Sequence, residues 1–165
     1  RLAERGVRMG SHDDHTPDDR AGFRALGADI CEFPETLAAA EAAKAAGEPV
    51  IMGAPNVVRG GSHSGKVAAE DLVAAGLVDA LVSDYHYPTL ARAAVKLSDR
   101  YGWPAAWSLV SEGPARVMGW SDRGRIAEGL RADLVILDEA GRIGGTISGG
   151  KVSYLAGALA ARMLA

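Results

Sequence analysis

The chain has 165 residues, of which 48% are hydrophobic and 24% are charged, so it fits a globular domain with an ordinary core and not a disordered tail. The net charge of −3 argues against a general nucleic-acid surface, and no stretch approaches the roughly 18 apolar residues of a membrane span. The single cysteine, Cys31, cannot form an internal disulfide, which favours a cytoplasmic protein. The opening RLAERGVRMG lacks Met and a signal-peptide pattern, so we expect the interior of a longer chain.

Strands and helices are predicted to alternate over the first half of the chain. The predicted strands are 5–10, 28–33, 48–54 and 79–83, and the predicted helices are 17–27, 35–46 and 67–75. Thr16 followed by Pro17 is a typical helix start. Apolar strands alternating with helices predict an α/β fold with a parallel sheet buried on both faces. Polar residues follow the strands, at the edge where such folds bind ligands: His12, Glu32, Asn56 and Asp84.

The second half of the chain changes character. Helices are predicted over 87–101, 103–112 and 113–119, and their three tryptophans are expected to lie in the core. Residues 131–157 then read as three short strands joined by glycine-rich turns, and a terminal helix is predicted over 155–165.

The stretch from Gly60 to Lys66 reads GGSHSGK, which has the GxxxxGK spacing of a P-loop. A P-loop continues with Ser or Thr, whose hydroxyl holds Mg²⁺, but this chain has Val67. The residues PNVVR also separate these glycines from the preceding strand. Three interpretations stay open at this point: a P-loop-like nucleotide-binding module, a flexible surface loop, and a loop that serves other phosphate chemistry.

Several segments resemble the amidohydrolase superfamily. Near the end of the chain these are EGPARVMGWSDRGRI (112–126) and GRIAEGLRADLVILD (124–138). Three loop segments, SHDD (11–14), MGAPNVVRGGSHSG (52–65) and SDYHYP (83–88), resemble more specifically the superfamily members that act in phosphonate metabolism. The resemblance covers nearly the whole chain.

The resemblance implies the C-terminal half of a (β/α)₈ TIM-type barrel in residues 1–120. It implies the return strands of a small β-sandwich, with a terminal helix, in residues 121–165. The superfamily's HxH pair after strand 1 does not occur in this chain. Counting back from Asp84 at the end of strand 8 assigns SHDD to strand 5, so the first half of the barrel is expected on a part of the protein that this chain lacks.

The resemblance also implies one or two divalent ions, Zn²⁺, Mn²⁺ or Fe²⁺. His12 is the expected ligand after strand 5, and Asp84 is the expected ligand after strand 8 and the base that deprotonates the attacking water. Glu32 stands where the superfamily usually has His; it is either a third ligand or the cap of the next helix. Three neighbours are expected to orient His12: Asp13, Asp14 and His15.

The loop after strand 7 is expected to bind phosphate. Glycine backbone exposes N–H groups to anions, Arg offers a bidentate fork and Lys a point charge. The expected phosphate-binding residues are Asn56, Arg59, Gly60, Gly61 and Lys66. His63 is expected either to protonate the departing pyrophosphate as a catalytic residue or to bind it.

The resemblance therefore implies a metal-dependent diphosphatase of phosphonate catabolism, which releases pyrophosphate from a ribose triphosphate that carries a phosphonate. The alternatives are a superfamily member that cleaves a C–N bond, as a deaminase or amidase does, and the P-loop-like module. The expected partners are this small phosphorylated substrate and, against the open sides of the half barrel, either its missing N-terminal half or a second copy of the chain. The 165 residues alone are expected to be inactive.

Overall fold

The computed structural model describes residues 2–61 and 65–163. Its first part contains a sheet of four parallel strands in the order β1-β2-β3-β4. The strands are β1 (Gly10–His12), β2 (Ile30–Glu32), β3 (Val50–Gly53) and β4 (Ala80–Val82). The strands follow each other in chain order and all run in the same direction, so the predicted α/β class is confirmed.

Helices connect the strands, as the alternating pattern predicted. They are α1 (Pro17–Ala25), α2 (Leu37–Ala45), α3 (Ala54–Arg59), α4 (Ala69–Ala74), α5 (Thr89–Tyr101), α6 (Trp103–Ser108) and α7 (Glu112–Val117). Thr16 caps α1 as predicted: its side chain accepts a hydrogen bond from the Asp19 N–H, and the Asp19 carboxylate accepts one from the Thr16 N–H. Thr36 caps α2 in the same way through the Ala39 N–H.

Two predictions at the start of the chain and after β3 were wrong. A short 3₁₀ helix (Ala3–Arg5) replaces the start of the strand predicted over 5–10, and β1 begins only at Gly10. The polar residues Ser11 and His12 still pair with β2, because a parallel ladder depends on backbone groups and not on apolar side chains. The helix α3 was not predicted. It starts with Pro in its first turn and ends where Gly60 takes a left-handed conformation, with φ of 80°.

The core lies between the parallel sheet and helices α2 to α6. Its fully buried side chains include Cys31, Val50, Leu72 and Leu81. The tryptophans were predicted to lie in this core, but Trp103 and Trp120 are about half exposed, at 46% and 52%. Trp103 packs against Trp107, and the Arg123 guanidinium lies over the ring of Trp120, so these rings line the surface of the helices.

The last part of the chain forms a separate antiparallel sheet, as predicted. It consists of β5 (Leu134–Leu137), β6 (Ile143–Ser148) and β7 (Lys151–Leu155), followed by α8 (Gly157–Met163). Among the described helices, none has the length and apolar character that a membrane span requires. The half barrel, the sandwich and the division at residue 120 stay predictions, because residues 2–61 and 65–163 show four parallel strands and one small antiparallel sheet, and neither a closed barrel nor a complete sandwich.

Candidate functional site

A cleft of about 190 Å³ opens at the carboxyl edge of the parallel sheet. Here "the cleft" means the space lined by Asp13, Phe33, Pro34, Met52, Gly53, Pro55, Asn56, Arg59, Lys66, Val67, Asp84 and Tyr85. The turns after β1, β2 and β4 contribute to it, together with α3 and the segment before α4. The cleft therefore occupies the edge at which parallel α/β folds bind their ligands.

Three turns at this edge are held in a strained conformation. Asp13, Phe33 and Asp84 have positive φ angles of 61°, 54° and 51°, and each follows one of the strands closely. A bulky residue such as Phe33 rarely adopts this conformation, which costs on the order of 1–3 kcal/mol. Such strain persists only where surrounding contacts impose it, and all three residues line the cleft. The strain therefore marks the same edge as the polar residues do.

His12 and Glu32 end neighbouring strands and are paired in register. The His12 Nδ1 lies 3.1 Å from the Asp13 carboxylate, and the imidazole packs edge-on against Phe33 with ring centroids 5.2 Å apart. Asp13 is thus beside His12, as predicted. His15 is not: its Nδ1 lies 3.2 Å from the carboxylate of Glu35.

The predicted metal ligands do not come together in this chain. His12 ends β1 and Asp84 follows β4, and these strands are the two edges of the sheet, three strand spacings of about 4.8 Å apart along it. Over residues 2–61 and 65–163, no three His, Cys, Asp or Glu side chains form a group that could hold a metal ion. His12, Glu32 and Asp84 therefore do not make a complete metal site within the described residues, because the fold separates Asp84 from the other two.

Lys66 reaches the cleft as one half of an ion pair. Its ammonium contacts the Glu35 carboxylate and lies 3.9 Å from the Asp13 carboxylate. The hydrogen bond from Lys66 lowers the pKa of Glu35 below its ordinary value, and the same bond raises the pKa of Lys66. The Glu35 carbonyl also accepts a hydrogen bond from the Val67 N–H, so this residue holds the segment before α4 at two points. Glu35 was not among the predicted site residues, since nothing near it in the chain indicates a distant lysine.

Arg59 lies at the end of α3 with its side chain exposed in the cleft. Within the described part of the chain, the Arg59 side chain forms no hydrogen bond or ion pair, in contrast to the side chain of Lys66. Its guanidinium is therefore available to an anion that enters the cleft.

The backbone N–H groups of Gly60 and Gly61 were predicted to bind phosphate, but both are already used in hydrogen bonds. The Gly60 N–H donates to the carbonyls of Asn56 and Val57, and the Gly61 N–H donates to Asn56, so both groups cap the end of α3. The Asn56 side-chain oxygen accepts a hydrogen bond from the Ala69 N–H at the start of α4. Asn56 lines the cleft, but this oxygen is already bound. The predicted acid or phosphate ligand His63 lies outside the described residues.

Asp14 does not turn toward His12. It is 1% exposed, and its Oδ2 accepts hydrogen bonds from Ser11 at 2.7 Å and from the buried Arg20 at 3.0 Å. The Cys31 thiol also contacts this oxygen, and burial raises its pKa to about 12. A thiol with this pKa stays protonated and is not a nucleophile at neutral pH.

The helices on either side of the GxxxxGK sequence are not arranged as they are around a P-loop. A P-loop runs from a strand directly into a helix at its Lys and Ser or Thr. In this chain α3 follows β3, Gly60 ends that helix, and α4 begins only at Ala69. Lys66 is paired with a carboxylate. The described elements that flank the GxxxxGK sequence are therefore not the strand and helix of a P-loop.

A sequence profile of the amidohydrolase family matches residues 1–147. The chain belongs to the amidohydrolase family. Among curated proteins, it is similar to alpha-D-ribose 1-methylphosphonate 5-triphosphate diphosphatase of Escherichia coli (strain K12), with 48% identity over 136 residues, or 80% of this chain. This match confirms the resemblance to a phosphonate-metabolism member that the loop segments indicated.

Solved amidohydrolase-type structures share the fold at low sequence identity. N-acetyl-D-glucosamine-6-phosphate deacetylase from Mycobacterium smegmatis aligns with a TM-score of 0.70 and 19% identity, over 93% of this chain and 49% of that chain. A prolidase complexed with N-methylphosphonate-L-proline aligns with a TM-score of 0.68 and 18% identity, over 94% of this chain and 47% of that one. The chain thus spans about half the length of these structures, and 36% of the curated diphosphatase.

Proposed function

We propose that this amidohydrolase-family chain is part of a hydrolase that cleaves alpha-D-ribose 1-methylphosphonate 5-triphosphate with water, giving the 5-phosphate and pyrophosphate. The observation that carries the proposal is the 48% identity to a diphosphatase of that name. Each of the three loop segments on which the resemblance rests contributes described residues to the cleft, among them Asp13, Arg59 and Asp84.

The charges in the cleft support a phosphorylated substrate. Arg59 is exposed and unpaired among the described residues, so in this proposal it binds a phosphate oxygen through two N–H donors. Lys66, in the segment before α4, adds a second positive charge, but an anion must compete with Glu35 for its ammonium group. Arg59 is therefore the stronger candidate of the two.

Asp84 supplies the proposed base. Its carboxylate is exposed at the cleft, and the strained turn after β4 fixes its backbone. A carboxylate in this place can accept the proton of the attacking water, provided that water and phosphorus lie within hydrogen-bond and attack distance. Tyr85 lines the same wall of the cleft, where an exposed ring can pack against a sugar.

The proposal assigns no step to a divalent metal ion. Among the described residues no group of three potential ligands forms, so the zinc, manganese or iron predicted from the sequence stays a prediction for the longer protein. A metal ion bound by His12 and Glu32 would need further ligands from another part of the polypeptide. The same holds for a metal ion bound by Asp84.

The test of this proposal compares two bond types in the full-length protein. Pyrophosphate release from the ribose phosphonate triphosphate is expected, together with no hydrolysis of N-acetylated sugars or of proline dipeptides. Turnover of a C–N substrate without pyrophosphate release would instead support the deaminase or amidase alternative. That alternative gives no role to Arg59 and Lys66, because cleavage of a C–N bond does not require a phosphate-binding cation.

The proposal includes another polypeptide beside this sheet. Within the described residues, the outer edges of β1 and β4 pair with no strand, and exposed edges readily pair with another chain. The partner is either the remaining half of a barrel or a second copy of this chain. Residues 1–165 expressed alone are expected to sediment as oligomers or aggregate and to release no pyrophosphate. A monodisperse and active monomer would contradict the half-barrel prediction.

A further inference from the structure

Beneath the cleft, α1 carries a fully buried arginine to which the proposed reaction gives no role. Arg20 is 0% exposed. Its Nη1 donates to the Asp14 carboxylate at 3.0 Å, to the Ile30 carbonyl at 3.1 Å and to the Ser11 hydroxyl. Its Nε lies 3.1 Å from the Glu48 carboxylate. One side chain thus connects α1, β1, β2 and the segment before β3.

Stability alone is a poor reason for this arrangement. Removing two charges from water costs several kcal/mol per ion, and a well-packed apolar group would often serve as well. The pairing is also incomplete, because Asp14 Oδ1 is buried and has no hydrogen-bond partner among the described residues. An arrangement that is costly and only partly satisfied is better explained by what it holds in place.

The ion pair is connected to the two turns that carry Asp13, which lines the cleft, and Glu35, which binds the cleft residue Lys66. Asp14 directly follows the strained Asp13, whose N–H donates to the Glu32 carbonyl at 3.1 Å. The carbonyl of Asp14 accepts a hydrogen bond from the Glu35 N–H at 2.9 Å. Glu35 in turn binds Lys66. Fixing the side chain of Asp14 therefore fixes both the turn after β1 and the turn after β2.

We propose that Arg20 is a positioning residue for the cleft and acts through Asp14. It holds Asp13 in its left-handed conformation beside His12, and it holds Glu35 where it binds Lys66. Arg20 itself touches no substrate. This inference rests on the proposed function for its kinetic readout only, because its structural readout is independent of the reaction.

The chain offers a matched control one turn further along α1. Arg24 also binds Glu48, with Nη2 donating to Oε2 at 2.9 Å, and its side chain is 41% exposed. It does not contact Asp14. The variants Arg20→Lys and Arg24→Lys both replace a guanidinium on the same helix and both weaken a bond to Glu48. A lysine at position 20 has three donors, which is too few for the acceptors that surround Arg20.

The experiment measures amide hydrogen exchange and steady-state kinetics in the full-length protein. For Arg20→Lys, exchange at the amides of Asp13 and Glu35 is expected to accelerate about tenfold or more relative to the strands of the sheet. Turnover is expected to show kcat reduced about tenfold or more, with KM changed less than about threefold. Arg24→Lys is expected to leave both amides and kcat near their wild-type values.

Either of two results would overturn the proposal. One is unchanged protection of both amides in Arg20→Lys, and the other is the same loss in Arg24→Lys, which would indicate general softening of α1. If Arg20→Lys does not fold, Asp14→Asn breaks the same pair from the other side and is judged by the same criteria. If the wild-type protein releases no pyrophosphate, the proposed function fails, while the exchange data still decide whether Arg20 is a positioning residue.

Discussion

Arg59 and Lys66 line one cleft but differ in their surroundings, so removing them is expected to affect triphosphate binding unequally. Arg59 is exposed and unpaired within the described residues, so its contact with a phosphate would replace water only. Lys66 contacts Glu35 and lies near Asp13, so the same contact would first weaken an existing ion pair. The structure therefore predicts that Arg59→Ala is the more damaging change.

The size of the difference follows from these contacts. A hydrogen bond to a charged group contributes about 1.5–3 kcal/mol, which corresponds to an increase in KM of roughly 10-fold to 150-fold for Arg59→Ala. Exposed ion pairs contribute little, and Lys66 gives up this small contribution from Glu35 when it turns to a phosphate. The increase for Lys66→Ala is therefore expected to be smaller, by a factor of up to about 5.

Initial rates of pyrophosphate release by the full-length protein measure both effects. Arg92→Ala is the control, because this arginine is exposed on α5, has no ion-pair partner among the described residues and does not line the cleft. Its KM should stay within about twofold of wild type. If Lys66→Ala raises KM as much as Arg59→Ala does, or if Arg59→Ala behaves like the control, the division of roles between the two cations is wrong.

Three further predictions for the full-length protein test other parts of the account. Asp84→Asn keeps the size of the side chain but removes the base, so hydrolysis should nearly cease while the circular dichroism spectrum is unchanged; turnover within about threefold of wild type would exclude this role. The lowered pKa of Glu35 means that its ion pair stabilises the folded state at neutral pH, and that this contribution is lost as the pH falls through the folded-state pKa. The stability difference between wild type and Glu35→Gln, measured by denaturant titration, should therefore shrink between pH 7 and about pH 3, and a constant difference would contradict the ion pair's contribution. An added Cβ at Gly113 would collide with the backbone carbonyl oxygen of Asp79, whereas Gly22 on α1 has open space around it. Gly113→Ala should thus lose about 1–3 kcal/mol or more of unfolding free energy, and Gly22→Ala should gain about 0.5–1 kcal/mol; equal effects would contradict the close approach of Gly113 to the Asp79 carbonyl.

Much of the fold was predictable because local patterns and tertiary structure agree. The helix start at Thr16 and Pro17 needs only neighbouring residues, and apolar strands such as β3 indicate burial on both faces. The short helix α3 was missed because its six residues, APNVVR, carry no helical periodicity. The start of β1 was misplaced because pairing with β2 extends into polar residues, which a hydrophobicity pattern cannot show.

The location of the site was predictable, but its contacts were not. Polar residues at strand ends indicated the edge at which the cleft lies, since the carboxyl ends of parallel strands all lie at one side of the sheet. Lys66 binds Glu35, 31 positions away, and the sequence gives no sign of this pairing. Arg20 lies in the charged segment PDDRAGFR, which resembles an exposed helix face, yet it is fully buried. The amides of Gly60 and Gly61 were expected to bind phosphate, but an undetected helix uses them.

The central claim is that the longer protein cleaves a phosphoanhydride bond of a ribose phosphonate triphosphate. Phosphorus NMR of the full-length protein with alpha-D-ribose 1-methylphosphonate 5-triphosphate tests it most directly, because the products have distinct resonances. The account predicts that inorganic pyrophosphate and the 5-phosphate appear in equal amounts while the methylphosphonate signal is retained. An unchanged triphosphate, or release of orthophosphate with a diphosphate product, would contradict it.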